Sequence, residues 1–115
     1  MLLNEDDKIL VSHRRLFQTD EMRFFVGRVD AYEAGIVKAT GHSYVRDMLG
    51  GSFIEKVEVR TKILSLSSGT FLVYQLPGHV EINDLRFVSQ EGRLSLTDGK
   101  GYTMNLAEFP HGGRV

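Results

Sequence analysis

Basic side chains recur at alternate positions along two neighbouring stretches of the sequence. Lys38 and Arg46 lie in the first stretch, and Lys56, Arg60 and Lys62 lie in the second. Alternate side chains of a β-strand point to the same face, so each set is expected to share a face. Clustered cations bind phosphates, and an aromatic ring among them can stack on an unpaired base. This pattern predicts a site for an anionic partner, with single-stranded nucleic acid as one such partner.

The two stretches are predicted to form one long hairpin, with arms at 36–47 and 53–67. Gly50 and Gly51 supply the positive φ angles of a tight connection. If the turn is centred on Gly50, facing residues lie at equal distances from it, so that His42 faces Glu58 and Lys38 faces Lys62. The predicted outward, ligand-binding face then carries these side chains: Lys38, His42, Tyr44, Arg46, Lys56, Arg60 and Lys62. The alternative is a solvated charged face that keeps the sheet soluble.

A second function class follows from the apolar strand predicted at 70–76. Both of its faces are apolar, which is typical of a central strand or of one covered by a second subunit. Upstream, Phe24 and Phe25 are adjacent, so their rings point to opposite faces of a strand. The predicted interface of a protein-interaction or self-assembly module, with a homo-oligomer as the partner, comprises these residues: Phe25, Phe71, Val73 and Tyr74.

Catalytic and metal-binding patterns are absent from the sequence. The four histidines are scattered and none has the close spacing common in metal sites. A facing His42 and Glu58 could act as an acid–base dyad, and a cross-strand ion pair explains the same residues equally well. We therefore expect no catalytic residue, no metal and no cofactor, and expect that the protein is not an enzyme.

The elements that must position these residues are short strands. Apolar residues alternate with polar ones, and Gly, Asp, Asn and Ser separate the runs. We predict an all-β fold: a small bent antiparallel barrel or sandwich of about seven to eight short strands, with at most one short helical turn, at 80–85. The alternation slips by one residue at Gly27, which predicts a β-bulge or a sharp bend there. Asp98 and Gly99 predict a tight hairpin turn.

Two short motifs resemble those of Sm-like barrels. Gly27-x-Val29-x-x-Tyr32 is similar to the bend of the first Sm-like motif. Ser68-Gly69, followed by residues 73–77, is similar to the glycine turn and closing strand of the second. The resemblance implies barrel geometry. It implies no RNA-binding residue, because the Asp and Asn that Sm-like proteins use around the base pocket are not matched, and Glu33 and Val37 stand near those positions.

Length and composition set the outer limits. The chain has 115 residues, which predicts a single β domain over 8–107 with loose termini at 1–7 and 108–115. It has no Cys, so disulfides and Cys-ligated metals are excluded. The net charge of −1 argues against a uniformly basic nucleic-acid binder but allows a local basic patch. No signal peptide or bilayer-spanning apolar run is recognisable, so we expect a cytoplasmic protein without a membrane partner.

Overall fold

The computed structural model describes residues 2–13, 23–46, 53–90 and 93–106. The chain divides into two compact units, Met1–His79 and Val80–Val115. The single domain over 8–107 stays a prediction, and the predicted loose end at 108–115 lies outside the described residues. At the other end, Leu3 is buried in the core of the first unit. The Asp6 amide donates to the Val29 carbonyl oxygen at 2.8 Å.

The fold is all-β, as predicted, and every strand pairing among the described residues is antiparallel. The strands of the first unit are β1 (Lys8–His13), β2 (Arg23–Glu33), β3 (Ile36–Arg46), β4 (Phe53–Glu55), β5 (Arg60–Ser65) and β6 (Phe71–Gln75). Those of the second unit are β7 (Arg86–Gln90), β8 (Arg93–Thr97) and β9 (Thr103–Asn105). The described strands exceed the predicted number because the second arm of the hairpin is divided into β4 and β5.

The first unit is one sheet that curls around its own core. Its strand order is β4-β3-β2-β1-β6, and β5 also pairs with β3. Leu64 of β5 and Phe71 and Val73 of β6 come from opposite edges of the sheet, yet they pack on one core cluster. The other buried members of that cluster are Leu3, Ile9, Val11, Phe25, Val29, Val37 and Ala39. The sheet is therefore curved, and its inner face is the one that carries this core.

The apolar strand β6 lies at an edge of this sheet. Within the described residues it pairs with β1 alone. The prediction of a central strand was therefore wrong. Its two apolar faces arise in a different way: Phe71 and Val73 pack on the core, while Leu72 on the other face is 53% exposed.

The bulge in β2 is not at Gly27, where the sequence predicts it. Gly27 pairs regularly with Gly41, and the register shifts between Val29 and Ala31. A Cβ on Gly27 would collide with the carbonyl oxygen of Thr40. The glycine is thus required by the close approach of β2 and β3, and the extra residue of the bulge follows it.

The hairpin register also differs from the prediction. In β4, Tyr44 pairs with Glu55 rather than with Lys56. In β5, Ala39 pairs with Lys62. The partner of Tyr44 thus lies one residue earlier in the second arm than predicted, whereas the partner of Ala39 lies one residue later. This difference arises because residues 56–59 lie between the paired strands β4 and β5 and add two residues to the second arm. The predicted turn at 48–52 lies outside the described residues.

This register reverses the faces expected for the second arm. Lys62 lies on the same face as its partner Ala39, which is the inner face. Ile63, predicted to point inward, is 71% exposed, whereas its neighbour Leu64 is buried. The core therefore takes Leu64 from β5, and the basic residues on the same face as Leu64 turn to the inside of the curled sheet.

The second unit confirms two local predictions. A 3-10 turn at Ile82–Asp84 lies within the predicted helical turn at 80–85. The first unit contains a further 3-10 turn, at Leu66–Ser68, which was not predicted. Asp98 begins the turn between β8 and β9, and its carboxylate accepts hydrogen bonds from the amides of Lys100 and Tyr102 at 2.7 and 3.0 Å. Across the described ranges, no helix is long and apolar enough to cross a bilayer.

Candidate anion-binding cleft

A cleft of about 340 Å³ opens at one end of the inner face of the first unit. In an antiparallel sheet the beginning of one strand lies beside the end of the next. His13 at the end of β1 is thereby brought to the same end of the sheet as Arg23 and Arg60, which begin β2 and β5. The described residues that line the cleft are His13, Arg23, Phe24, Ser43, Val45, Lys56, Glu58, Arg60 and Lys62.

The lining is strongly cationic. It carries two arginines and two lysines, and Glu58 is the one acidic side chain among the described residues of the cleft. Lys62 is at the centre of this charge: its Nζ lies 4.9 Å from the ring centroid of Phe25, above the core. Burial lowers the pKa of Lys62, and the charges of Arg23 and Arg60 lower it further. Like charges are thus held close enough together to oppose one another, and an anion would relieve this repulsion.

His13 forms a second contact between the cleft and the core. Its ring lies edge-on to Phe71, with a centroid distance of 4.9 Å and an interplanar angle of 81°. Burial lowers the pKa of His13 below its ordinary 6.5, and Lys62 and Arg23 lower it further. The imidazole is therefore largely neutral at pH 7, with one ring nitrogen able to donate a hydrogen bond.

Glu58 is paired within the cleft. Its carboxylate lies 3.4 Å from the guanidinium of Arg60, and both side chains are more than half exposed. The predicted His42–Glu58 pair does not form. His42 instead lies 3.9 Å from the carboxylate of Glu55, and its Nδ1 is 2.9 Å from the Lys56 carbonyl oxygen.

The structure brings together three of the predicted ligand-binding residues, Lys56, Arg60 and Lys62. The other four lie outside the cleft: Lys38, His42, Tyr44 and Arg46. Of these, Lys38 and Arg46 are exposed. Tyr44 is buried, and its hydroxyl donates to Glu55 at 3.2 Å.

The predicted ligand-binding face did not include His13 and Arg23, the two nitrogen-bearing side chains that β1 and β2 contribute to the cleft. A signal for both was present in the alternation. His13 has the same parity as the core residue Val11, and Arg23 has the same parity as the core residue Phe25. A polar residue that alternates in step with the buried residues of a strand, but lies beyond the last of them, is expected at the rim of the inner face.

Three of the four predicted interface residues contribute to the core of the first unit. Phe25 is fully buried beneath Lys62, and Phe71 and Val73 pack partly buried against the same cluster. Tyr74 is half-buried. Phe24 and Phe25 are both buried, which agrees with the alternative that both rings belong to the core.

Within the described ranges, no group of three or more metal-ligating side chains is close enough to hold an ion. Comparisons with protein-family models, with curated proteins and with solved structures found no match.

Proposed function

We propose that the protein is a non-enzymatic β-barrel module that binds an anionic partner, and that the 38–62 hairpin contributes to binding through the cleft. The observation that carries this proposal is the convergence of Lys56, Arg60 and Lys62 with Arg23 and His13 around one concave opening. Converging cations raise the local concentration of anions and strengthen each contact with a phosphate.

Single-stranded nucleic acid is the partner we propose. The cations lie inside a concave opening of about 340 Å³ rather than along an extended convex surface, which favours a single strand over a duplex. The imidazole ring of His13 lines the same opening and offers a face or an edge to a base.

The test is binding of a fluorescent single-stranded oligothymidylate, measured by anisotropy over a salt series. We expect affinity to fall with salt, with a log–log slope of roughly −0.7 for each phosphate neutralised. The double variant Arg60→Glu, Lys62→Glu should lose affinity by more than about tenfold, because it sets like charges against the ligand.

The matched control is Arg28→Glu with Arg93→Glu, which makes the same change in net charge at exposed positions outside the cleft. We expect this control to retain most of the wild-type affinity. Equal losses in both double variants, or no binding at any salt concentration, would contradict the proposal.

The alternative function, a protein-interaction or self-assembly module using 70–76, also remains a prediction. It is supported by the edge position of β6 and by the exposure of Leu72. It has less support than the cleft because Phe25, Phe71 and Val73 are engaged in the core.

A further inference from the structure

Lys62 differs from the other four lysines of the chain in the surroundings of its amine. The side chain is half-buried, its Nζ lies 4.9 Å from the ring centroid of Phe25, and it lines the cleft. We propose that the Lys62 amine is a nucleophile that captures a phosphate-bearing aldehyde as an imine. The inference rests on the proposed function, because the cations of the same cleft bring the phosphate to this amine.

Two of the other lysines are engaged by oxygen atoms. Lys8 is buried, and its Nζ donates to the Gly78 carbonyl oxygen at 2.8 Å. The Nζ of Lys100 lies 2.8 Å from the carboxylate of Asp84, whose hydrogen bond and charge raise the pKa of that amine. Both amines are therefore held in the protonated form, which does not attack a carbonyl group.

The last two lysines, Lys38 and Lys56, are exposed. Lys38 lies outside the cleft, whereas Lys56 is one of its lining residues. Lys62 is thus the one lysine that both lines the cleft and is half-buried there. Lys38 and Lys56 supply internal references for the reactivity of an exposed amine.

Burial and neighbouring cations make the Lys62 amine a better nucleophile. An amine attacks a carbonyl carbon in its neutral form, so a lowered pKa increases the reactive fraction. Burial is the largest cause of the lowered pKa of Lys62, followed by the charges of Arg23 and Arg60. A bound ligand covers the amine further, so the effect of burial persists when a phosphate offsets the two arginine charges.

The same arginines favour an aldehyde that carries a phosphate. Arg23 and Arg60 line the cleft with Lys62, and both act electrostatically on its amine. A phosphate attracted to them brings an attached carbonyl group near Nζ, which replaces a chance encounter by a local one. The opening of about 340 Å³ lies at the lower end of the usual size of small-molecule sites, about 300–1,000 Å³. The ligand is therefore a small aldehyde or a single residue of a strand.

The reaction needs no oxidant and no reductant. The nitrogen lone pair of Lys62 forms a bond to the carbonyl carbon, and a proton moves from nitrogen to oxygen to give a carbinolamine. Loss of the hydroxyl group from carbon and of a proton from nitrogen releases water and leaves a C=N bond. His13 lines the same cleft as a largely neutral imidazole, which can accept and donate these protons. The adduct is reversible, so the reaction is capture of the ligand and not turnover.

The experiment uses pyridoxal 5′-phosphate as the probe and pyridoxal, which lacks the phosphate, as its control. Each is mixed with the protein at equimolar concentration, imines are reduced with borohydride, and the labelled lysines are located by peptide mass spectrometry. Pyridoxal 5′-phosphate is expected to label Lys62 at least about tenfold more than Lys38 or Lys56, because the cleft holds the aldehyde at that amine. Pyridoxal should show a much smaller preference.

Two variants check the assignment. Lys62→Arg keeps the positive charge and removes the nucleophile, so total labelling should fall to that of the remaining lysines. Lys38→Arg makes the same change at an exposed position outside the cleft and should retain the label at Lys62. The distribution of label in the wild-type protein tests the inference even if a variant fails to fold.

A second arm identifies the source of the aldehyde. An oligothymidylate with one abasic site carries an aldehyde in its open-chain sugar, between two phosphates. Trapping of this strand and of pyridoxal 5′-phosphate at Lys62 supports the proposal for strands as well as for small phosphorylated aldehydes. Trapping of pyridoxal 5′-phosphate alone supports it for small aldehydes only.

The failures are distinguishable. If label is spread evenly over Lys38, Lys56 and Lys62 while intact oligothymidylate binds with salt dependence, the inference is overturned and the proposed function stands. If pyridoxal labels Lys62 as selectively as its phosphate does, the cations of the cleft do not guide the aldehyde, and the inference is overturned. If Lys62 is labelled selectively but no strand binds, the inference stands and the nucleic-acid partner is overturned. Even labelling together with no strand binding overturns both.

Discussion

His13 links the cleft to the stability of the fold. Its ring is packed edge-on against Phe71 from β6, and Arg23 from β2 and Lys62 from β5 act on it electrostatically. Burial of the ring and the charges of Lys62 and Arg23 disfavour the imidazolium, so the pKa of His13 is lower in the folded protein than in the unfolded chain.

This shift predicts a pH dependence of stability. Below the ordinary histidine pKa of 6.5 the unfolded chain takes up a proton that the folded protein resists. Stability is therefore expected to fall as pH decreases from neutrality through 6.5 towards the folded-state pKa. His13→Gln should flatten this decline, as measured by urea unfolding at pH values on either side of 6.5.

The exposed His79 provides the control for this prediction. His79→Gln should retain the wild-type decline in stability. If His13→Gln and the wild type decline in parallel, His13 does not resist protonation in the fold.

At the scale of elements, the sequence predicted where the hairpin strands lie but not which way they face. Alternation in 56–63 gives two rows of side chains, one basic and one apolar, and the apolar row was expected inside. The structure reverses this because Leu64, one residue out of phase with Ile63, is the side chain that reaches the core. The burial of Leu64 thus determines which face of β5 points inward. Alternation alone could not show whether Leu64 or Ile63 is the buried residue.

The paired glycines of β2 and β3 carry an element-scale prediction. Gly27 lies opposite Gly41, and a Cβ on Gly27 would collide with the backbone of Thr40. Gly27→Ala is expected to destabilise the protein by about 1–3 kcal/mol, the usual cost of overpacking. Gly78→Ala is the matched control, because a Cβ there meets nothing within 4 Å. Equal unfolding midpoints for the two variants in urea would contradict the account.

At the scale of the whole molecule, positive and negative charges nearly balance, but basic side chains are concentrated at the cleft. The chain has a net charge of −1, yet the described lining of the cleft carries four cationic side chains and one carboxylate. The three from the hairpin were predictable as a basic cluster. His13 and Arg23 were indicated only by their alternation with core residues, because they join this cluster only when the sheet curls and brings the ends of separate strands together.

The most direct test of the anion-binding cleft is an NMR titration of the ¹⁵N-labelled protein with a short 5′-phosphorylated oligothymidylate. We predict that the largest amide shifts fall at His13, Ser43, Arg60 and Lys62, with small shifts at Ile63 and Lys38 on the opposite face of the same strands. Shifts centred on Lys38 and Ile63, or no shifts at saturating ligand, would contradict the account.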